Sequence, residues 1–310
     1  MANPQHAPRD LIGEVDQNTW VIGDKWILTL RSTPGGESSW PDDKNCFFVL
    51  TNASGPSPPF RPLSPTSIIQ KVHDAGDVVS VWKVGQAFIK AVDYPPFMRD
   101  ATLEHVTINA LHTKGISFAI PNVLYNAYWE DRYMIITSAM TGVTLDKAWL
   151  SMDQETREYY ADRVVDICKE MAKFEAGYIG GIDGNSLAET FLTKPGEPYE
   201  YSRNTLLKNC MALRMDCTGS FKFYHCDLGP MNIIVDVKNR GISVIDWERA
   251  GFVPIEWIKT KFLEGTGAMY FDCVMATNGD RMAWGKLVGE KLGQAGFKDV
   301  AEMYREWHKK

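Results

Sequence analysis

Between Phe223 and Glu248 the chain reads FYHCDLGPMNIIVDVKNRGISVIDWE, and three oxygen-bearing side chains, Asp227, Asn232 and Asp246, stand among residues that otherwise read as buried strand. Two carboxylates and an amide oxygen are hard-cation ligands suited to Mg²⁺, provided that the chain brings them together. The stretches IIVDV (233–237) and ISVID (242–246) are joined by KNRG, a turn composition, which predicts an antiparallel hairpin. If Val237 faces Ile242, then Ile233 faces Asp246 and Asn232 is its neighbour at the open end; a slip of one residue leaves them just as close. The preceding HCDLGPMN contains Gly and Pro, cannot be regular structure, and delivers Asp227 to the same end. Singly, each of the three suits a turn. Together they do not, because VID ends an apolar strand where a charge needs a partner. A zinc site built on His225 and Cys226 is disfavoured, since adjacent side chains diverge and no second cluster completes it. Cys226 reads as a small buried thiol, with His225 beside it as the argument for a reactive one.

The elements that must position these groups are legible in outline. Residues 19–50 hold short β-rich runs, and 52–67 form a Pro- and Ser-rich exposed loop. The segment 78–92 predicts a hairpin with Gly85 at its turn and Lys90 in its second strand. Leu103, Val106, Ala110 and Leu111 recur at helical spacing, with Asp100 as the expected N-cap, Gly115 as the stop, and Glu104 on the helix. NVLYNAYWEDRYMIITSAM predicts two strands about a charged turn. SMDQETREYYADRVVDICKEMAKFE predicts a helix opened by a capping box of Ser151 and Gln154, with Tyr160, Val164, Cys168 and Met171 on one face. Helices dominate beyond it, apart from the 225–248 hairpin.

In their order, His225-x-Asp227-x-x-x-x-Asn232, Asp246 in VIDWE, FIK with Lys90, the LEH helix with Glu104, DRYMIITSAMTGVTLDKAW and AGFVPIEWI resemble the aminoglycoside phosphotransferase and choline kinase family, relatives of the protein kinases, and in particular its large fungal branch. The resemblance covers residues 70–262 and implies an α+β, two-lobed protein-kinase-like fold, with a small β-rich N-terminal lobe (1–140) and a larger helical C-terminal lobe (141–310). It implies that Asp227 accepts the proton of a substrate hydroxyl, that Asn232 and Asp246 hold Mg²⁺, and that Lys90 contacts the phosphates of ATP with Glu104 holding the lysine. The stretch from Met134 through Ser138 to Met140 would grip adenine through its backbone, and His225 would brace the catalytic loop. Taken alone, Lys90 reads as a strand-edge lysine reaching for water and Glu104 as a solvated helix residue. The chain departs from the family pattern in having Cys226 where many relatives have Gly. It also has only Gly76 and Gly85 between Val72 and Lys90, so no G-x-G-x-x-G loop is present.

Composition limits the partners. The 310 residues carry a net charge of −6, and no window approaches a membrane span, so a cytoplasmic protein binding neither nucleic acid nor membrane is expected. The six cysteines are scattered without a CxxC pair, which predicts reduced thiols. From Arg249 to Lys310 there are ten Lys or Arg against eight Asp or Glu, so an acidic cavity for a polycationic drug is not evident. Trp247, Trp257, Tyr270, Phe271 and Trp284 are candidates to line an apolar one. The expected activity is ATP- and Mg²⁺-dependent phosphorylation of a hydroxyl on a neutral or partly hydrophobic small molecule. Two alternatives keep the fold: ATP-independent acid-base chemistry on a metabolite by Asp227, His225 or Asp246, and a pseudokinase that binds a partner.

Overall fold

The computed structural model describes residues 7–129, 131–194, 196–263, 267–269, 271–273 and 275–309. Tyr270, one of the aromatics considered above, lies outside them. The chain divides into two compact units, one running to Arg99 and including Pro121–Ala139, the other comprising Asp100–Ile120 and Met140–Lys310.

The first unit is all β. Strands β1 (Ile12–Asp16), β2 (Thr19–Ile22), β3 (Trp26–Arg31), β4 (Ser38–Pro41), β5 (Phe47–Asn52) and β6 (Arg61–Pro62) form a sheet in the order β4-β5-β3-β2-β1-β6. Strands β7 (Ile69–Asp74), β8 (Val79–Val84), β9 (Ala87–Asp93), β10 (Val123–Trp129) and β11 (Arg132–Ser138) form a second, in the order β10-β11-β9-β8-β7. One core joins the two sheets, built on Trp20, Trp40, Phe48, Trp82, Ile89 and Met134, and the Trp40 indole donates to Val84 O at 2.8 Å. The β8–β9 hairpin forms as expected, Val84 opposite Ala87. Gly85 turns it at φ 56°, where a Cβ would come within 2.7 Å of Pro41 O. Apart from Asn52, which ends β5, and the two residues of β6, the Pro- and Ser-rich stretch carries no regular structure.

The second unit holds β12 (Val143–Thr144), β13 (Glu175–Ala176), β14 (Phe221–Tyr224), β15 (Ile233–Asp236), β16 (Gly241–Val244) and β17 (Gly251–Val253), in sheets ordered β12-β15-β16 and β13-β14-β17. Its helices are α1 (Glu104–His112), α2 (Leu145–Trp149), α3 (Gln154–Met171), α4 (Arg203–Ala212), α5 (Ile255–Leu263), α6 (Asn278–Gln294) and α7 (Ala301–His308). Asp100–Ile120, which the sequence reading counted with the N-terminal lobe, groups with this unit because Ala101 bridges to Ser186 and Ala119 to Ser243.

Two helix starts differ from expectation. Those same extended residues at 101–103 delay α1, so Leu103 rather than Asp100 precedes it, with no side-chain cap. The cap of α3 is Asp153, which accepts from Thr156 N–H at 2.9 Å, because Ser151 is spent donating to Ala148 O at the end of α2. Tyr160, Val164, Cys168 and Met171 are buried as their spacing predicts. Trp247, Trp257, Phe271 and Trp284 are at most 1% exposed, which makes them core rather than the wall of an open pocket.

Candidate active site

The segment carrying His225, Asp227 and Asn232 leaves β14 at Tyr224 and enters β15 at Ile233. Its hairpin pairs Ile233 with Val244 and Val235 with Ile242, so the turn falls one residue earlier than expected, with Val237 in the turn and Gly241 in the strand. Asn232 is then opposite Ile245, whose N–H donates to its carbonyl at 3.0 Å, and Asp246 is the next residue. The open end therefore still brings Asn232 and Asp246 side by side.

His225 is fully buried. Its Nε2 lies 2.9 Å from Ile245 O and its Nδ1 accepts Asp227 N–H at 3.2 Å, two bonds that both form only in the neutral Nε2–H tautomer. Burial lowers its pKa, which keeps that form at neutral pH although Asp227 and Asp246 pull the other way. With both nitrogens occupied by backbone, His225 braces the loop; it has no atom left for acid-base work on a substrate. Cys226 follows at φ 61°, in the left-handed region that favours Gly. It is fully buried and desolvation pushes its thiol pKa well up, which removes it as a nucleophile.

The Asn232 amide donates to Asp227 O at 2.8 Å and more weakly to Asp227 Oδ2 at 3.4 Å, closing the loop and leaving Asn232 Oδ1 as its remaining acceptor. Asp246 takes φ 65° and opens the single turn Trp247–Arg249. That turn brings back Glu248, so that carboxylate oxygens of Glu104, Asp246 and Glu248 lie within 4.8 Å of one another. Glu104 is 4% exposed and accepts Trp247 N–H at 3.1 Å, so it is no solvated helix residue. This carboxylate trio, with the amide oxygen of Asn232 just before the neighbouring strand, has donor chemistry suited to a divalent hard cation.

Behind the loop, Glu189 and Lys261 form a fully buried ion pair at 3.3 Å, and Glu189 also accepts from Phe191 N–H and the Trp257 indole. Arg249 donates to Thr190 Oγ1 at 2.8 Å. Burial works against its charge, but Asp227, Glu248, Glu189 and Asp246 around it more than offset that and hold it protonated. A cavity of about 430 Å³ opens here, with Phe191, Tyr199, Lys194, Arg249, His308 and Glu197 among its lining residues. Sequence reasoning missed Glu248, Arg249 and the Glu189–Lys261 pair. The first two adjoin Asp246 in VIDWER, whereas nothing in the sequence links residues 72 positions apart.

Of the remaining expected residues, Lys90, Met134 and Ser138 belong to the first unit. Lys90 lies on β9, the middle strand of its sheet, half-buried on the face opposite Ile89 and Ala91, so it is not an edge lysine. Met134 and Ser138 lie on β11, paired to β9 on one side, with Met134 also paired to β10 and its side chain in the core. Ser138 exchanges bonds with Asn122 through its N–H and Oγ. The Met134 backbone is thus flanked by strands on both sides. Met140 is half-buried and begins the second unit.

No family model matches the sequence, and a search of curated proteins finds no match. Solved structures do match. The streptomycin–ATP complex of the aminoglycoside phosphotransferase APH(2")-IIa is 14% identical over 77% of this chain and 80% of that one, with a TM-score of 0.50. A GDP complex of an aminoglycoside 2'-phosphotransferase of type IIIa is 14% identical over 79% and 81%, also at 0.50. APH(3") type Id from Streptomyces rimosus is 17% identical over 77% and 91%, at 0.50. The chain therefore has the α+β, kinase-like fold of the aminoglycoside phosphotransferases.

Proposed function

We propose that this protein transfers the γ-phosphoryl group of ATP, with Mg²⁺, to a hydroxyl of a small molecule, as a member of the aminoglycoside phosphotransferase and choline kinase family. The observation that carries this reading is the arrangement at the hairpin's open end: Asp227 locked to Asn232, Asn232 beside Asp246, and a neutral His225 bracing all three. Asp227 takes the hydroxyl proton, and Asp246 and Asn232 hold the metal with Glu248 at hand. Lys90 meets the phosphates. When bound, Mg²⁺ supplies charge neutralisation at the transferring group, which is the main demand of this chemistry.

The acceptor is a partly hydrophobic small molecule of the secondary-metabolite kind. The cavity lining carries Lys194, Arg249 and His308 against Glu197, beside Phe191 and Tyr199, which disfavours the polycations that the solved relatives bind. Thermal unfolding with and without Mg·ATP tests the reading: saturating Mg·ATP raises the melting temperature and Asp246→Ala abolishes the rise. An unchanged wild-type melting temperature overturns it. ATP-independent acid-base chemistry by Asp227 is then the reading to pursue, favoured by the glycine-poor β7–β8 connection, whose only glycine is Gly76. A product without added phosphate mass would identify it.

A further inference from the structure

Cys210 lies in the last turn of α4, and Cys217 follows seven residues later in the segment leading to β14. The chain between them doubles back: Leu213 N–H donates to Asn209 O, Arg214 takes φ 61°, and Met215 N–H returns to Cys210 O at 3.1 Å. This return brings Cys217 back toward Cys210, close enough for each thiol to shift the other's pKa. Both are free thiols. Their surroundings differ in the way a reactive and a resolving cysteine require, since Cys217 is half-exposed whereas Cys210 is fully buried. The interaction between the thiols favours the thiolate at Cys217 and lowers its pKa against burial and the charges of Glu256 and Asp216; with burial, it raises that of Cys210.

We propose that Cys217 and Cys210 form an oxidative modification site, in which a hydroperoxide converts Cys217 to a sulfenic acid and Cys210 resolves it to a disulfide. In the first step the Cys217 thiolate attacks a peroxide oxygen, the O–O bond breaks, and the leaving oxygen takes up a proton; with hydrogen peroxide it departs as water. In the second, the Cys210 sulfur attacks the sulfenic sulfur, the S–O bond breaks, and the hydroxide departs as water with the Cys210 proton. Two thiols lose two electrons and two protons, and the peroxide is reduced by the same amount. The bond ties the end of α4 to the approach of β14, the strand that runs into His225. Asn209, next to Cys210, already anchors α4 by donating to Leu192 O at 2.7 Å.

Arg214 lies between the cysteines, so trypsin separates them into peptides 209–214 and 215–222, and a disulfide shows as their linked pair. The full chain, treated with hydrogen peroxide, alkylated and digested, should yield this pair, lighter by two hydrogens than the separate peptides and lost on reduction by dithiothreitol. Cys217→Ser should abolish it. Cys210→Ser should leave Cys217 as a sulfenic acid captured by dimedone, or as its sulfinic product. Each variant is compared with the wild type in melting temperature before oxidation, and the dimedone readout does not depend on the disulfide. Oxidation of the folded wild type that leaves 209–214 and 215–222 unlinked, or that consumes other cysteines first, overturns the proposal.

Discussion

In the proposed reaction, Asp227 is the residue whose substitution separates binding from chemistry. Asp227→Asn preserves size, and its backbone carbonyl still receives the Asn232 amide, so the loop should keep its shape. Turnover should fall by about 10² to 10⁴, the contribution of a positioned general base, while the melting shift with Mg·ATP stays near that of the wild type. Full turnover would remove Asp227 from the mechanism. Glu248 offers a second test, because its carboxylate lies within 4.8 Å of those of Glu104 and Asp246. Glu248→Gln should reduce the rise in melting temperature that Mg²⁺ produces, since it removes one candidate ligand; an unchanged or larger Mg²⁺ effect would exclude it from the cation's surroundings. The alternation of the two hairpin strands made Asp227, Asn232 and Asp246 legible in the sequence. Glu248 was not, since only the left-handed backbone at Asp246 brings the residue two positions later back to the trio, and Asp is one of several residue types that tolerate it.

At the level of elements, periodicity identified α3, the β8–β9 and β10–β11 hairpins and the catalytic hairpin, while their ends were set by contacts the sequence does not display. The capping assignment shows why. Ser151 and Asp153 both have capping chemistry, and the choice falls to Asp153 because α2 ends close enough to claim the serine. Asp153→Ala should cost about 0.5 to 2 kcal/mol by chemical denaturation, as lost N-caps do, with Ser151→Ala costing less; the reverse order would restore the original assignment. The strands β14 and β17 escaped notice because they are four and three residues long and pair across the 225–248 segment rather than with sequence neighbours. The Glu189–Lys261 pair, which fastens α5 to the turn before Phe191, was equally invisible. Lys261→Met leaves a buried carboxylate without its cation and should cost about 3 to 5 kcal/mol, the usual penalty for breaking a buried pair from one side. A loss under about 1 kcal/mol in urea denaturation would mean that Glu189 takes up a proton at little cost instead.

For the molecule as a whole, the buried neutral imidazole behind the catalytic loop governs how stability responds to acid. The pKa of His225 is lower in the folded chain than its ordinary value, so the unfolded chain binds the proton first. Its contribution to stability is complete above about pH 6.5, the ordinary histidine value, and is lost as the pH falls from there through the folded value. Carboxylates with lowered pKa values act in the same direction at lower pH, among them Asp153 and Asp280 at the starts of α3 and α6, each held down chiefly by the hydroxyl of Thr156 or Thr277 and by the threonine's backbone N–H. Their share is lost only below the carboxylate range, near pH 4. The melting temperature should therefore be level between about pH 7 and 8, decline in a first step below about pH 6.5, and decline again near pH 4. His225→Gln distinguishes the two steps: a glutamine amide can donate to Ile245 O in place of Nε2 but does not titrate. The variant should start from a lower melting temperature at pH 7 and show a much smaller first step, with the second step unchanged. A first step of wild-type size in His225→Gln would place its origin in another group, and the neutral brace would then have no part in the acid sensitivity of the fold.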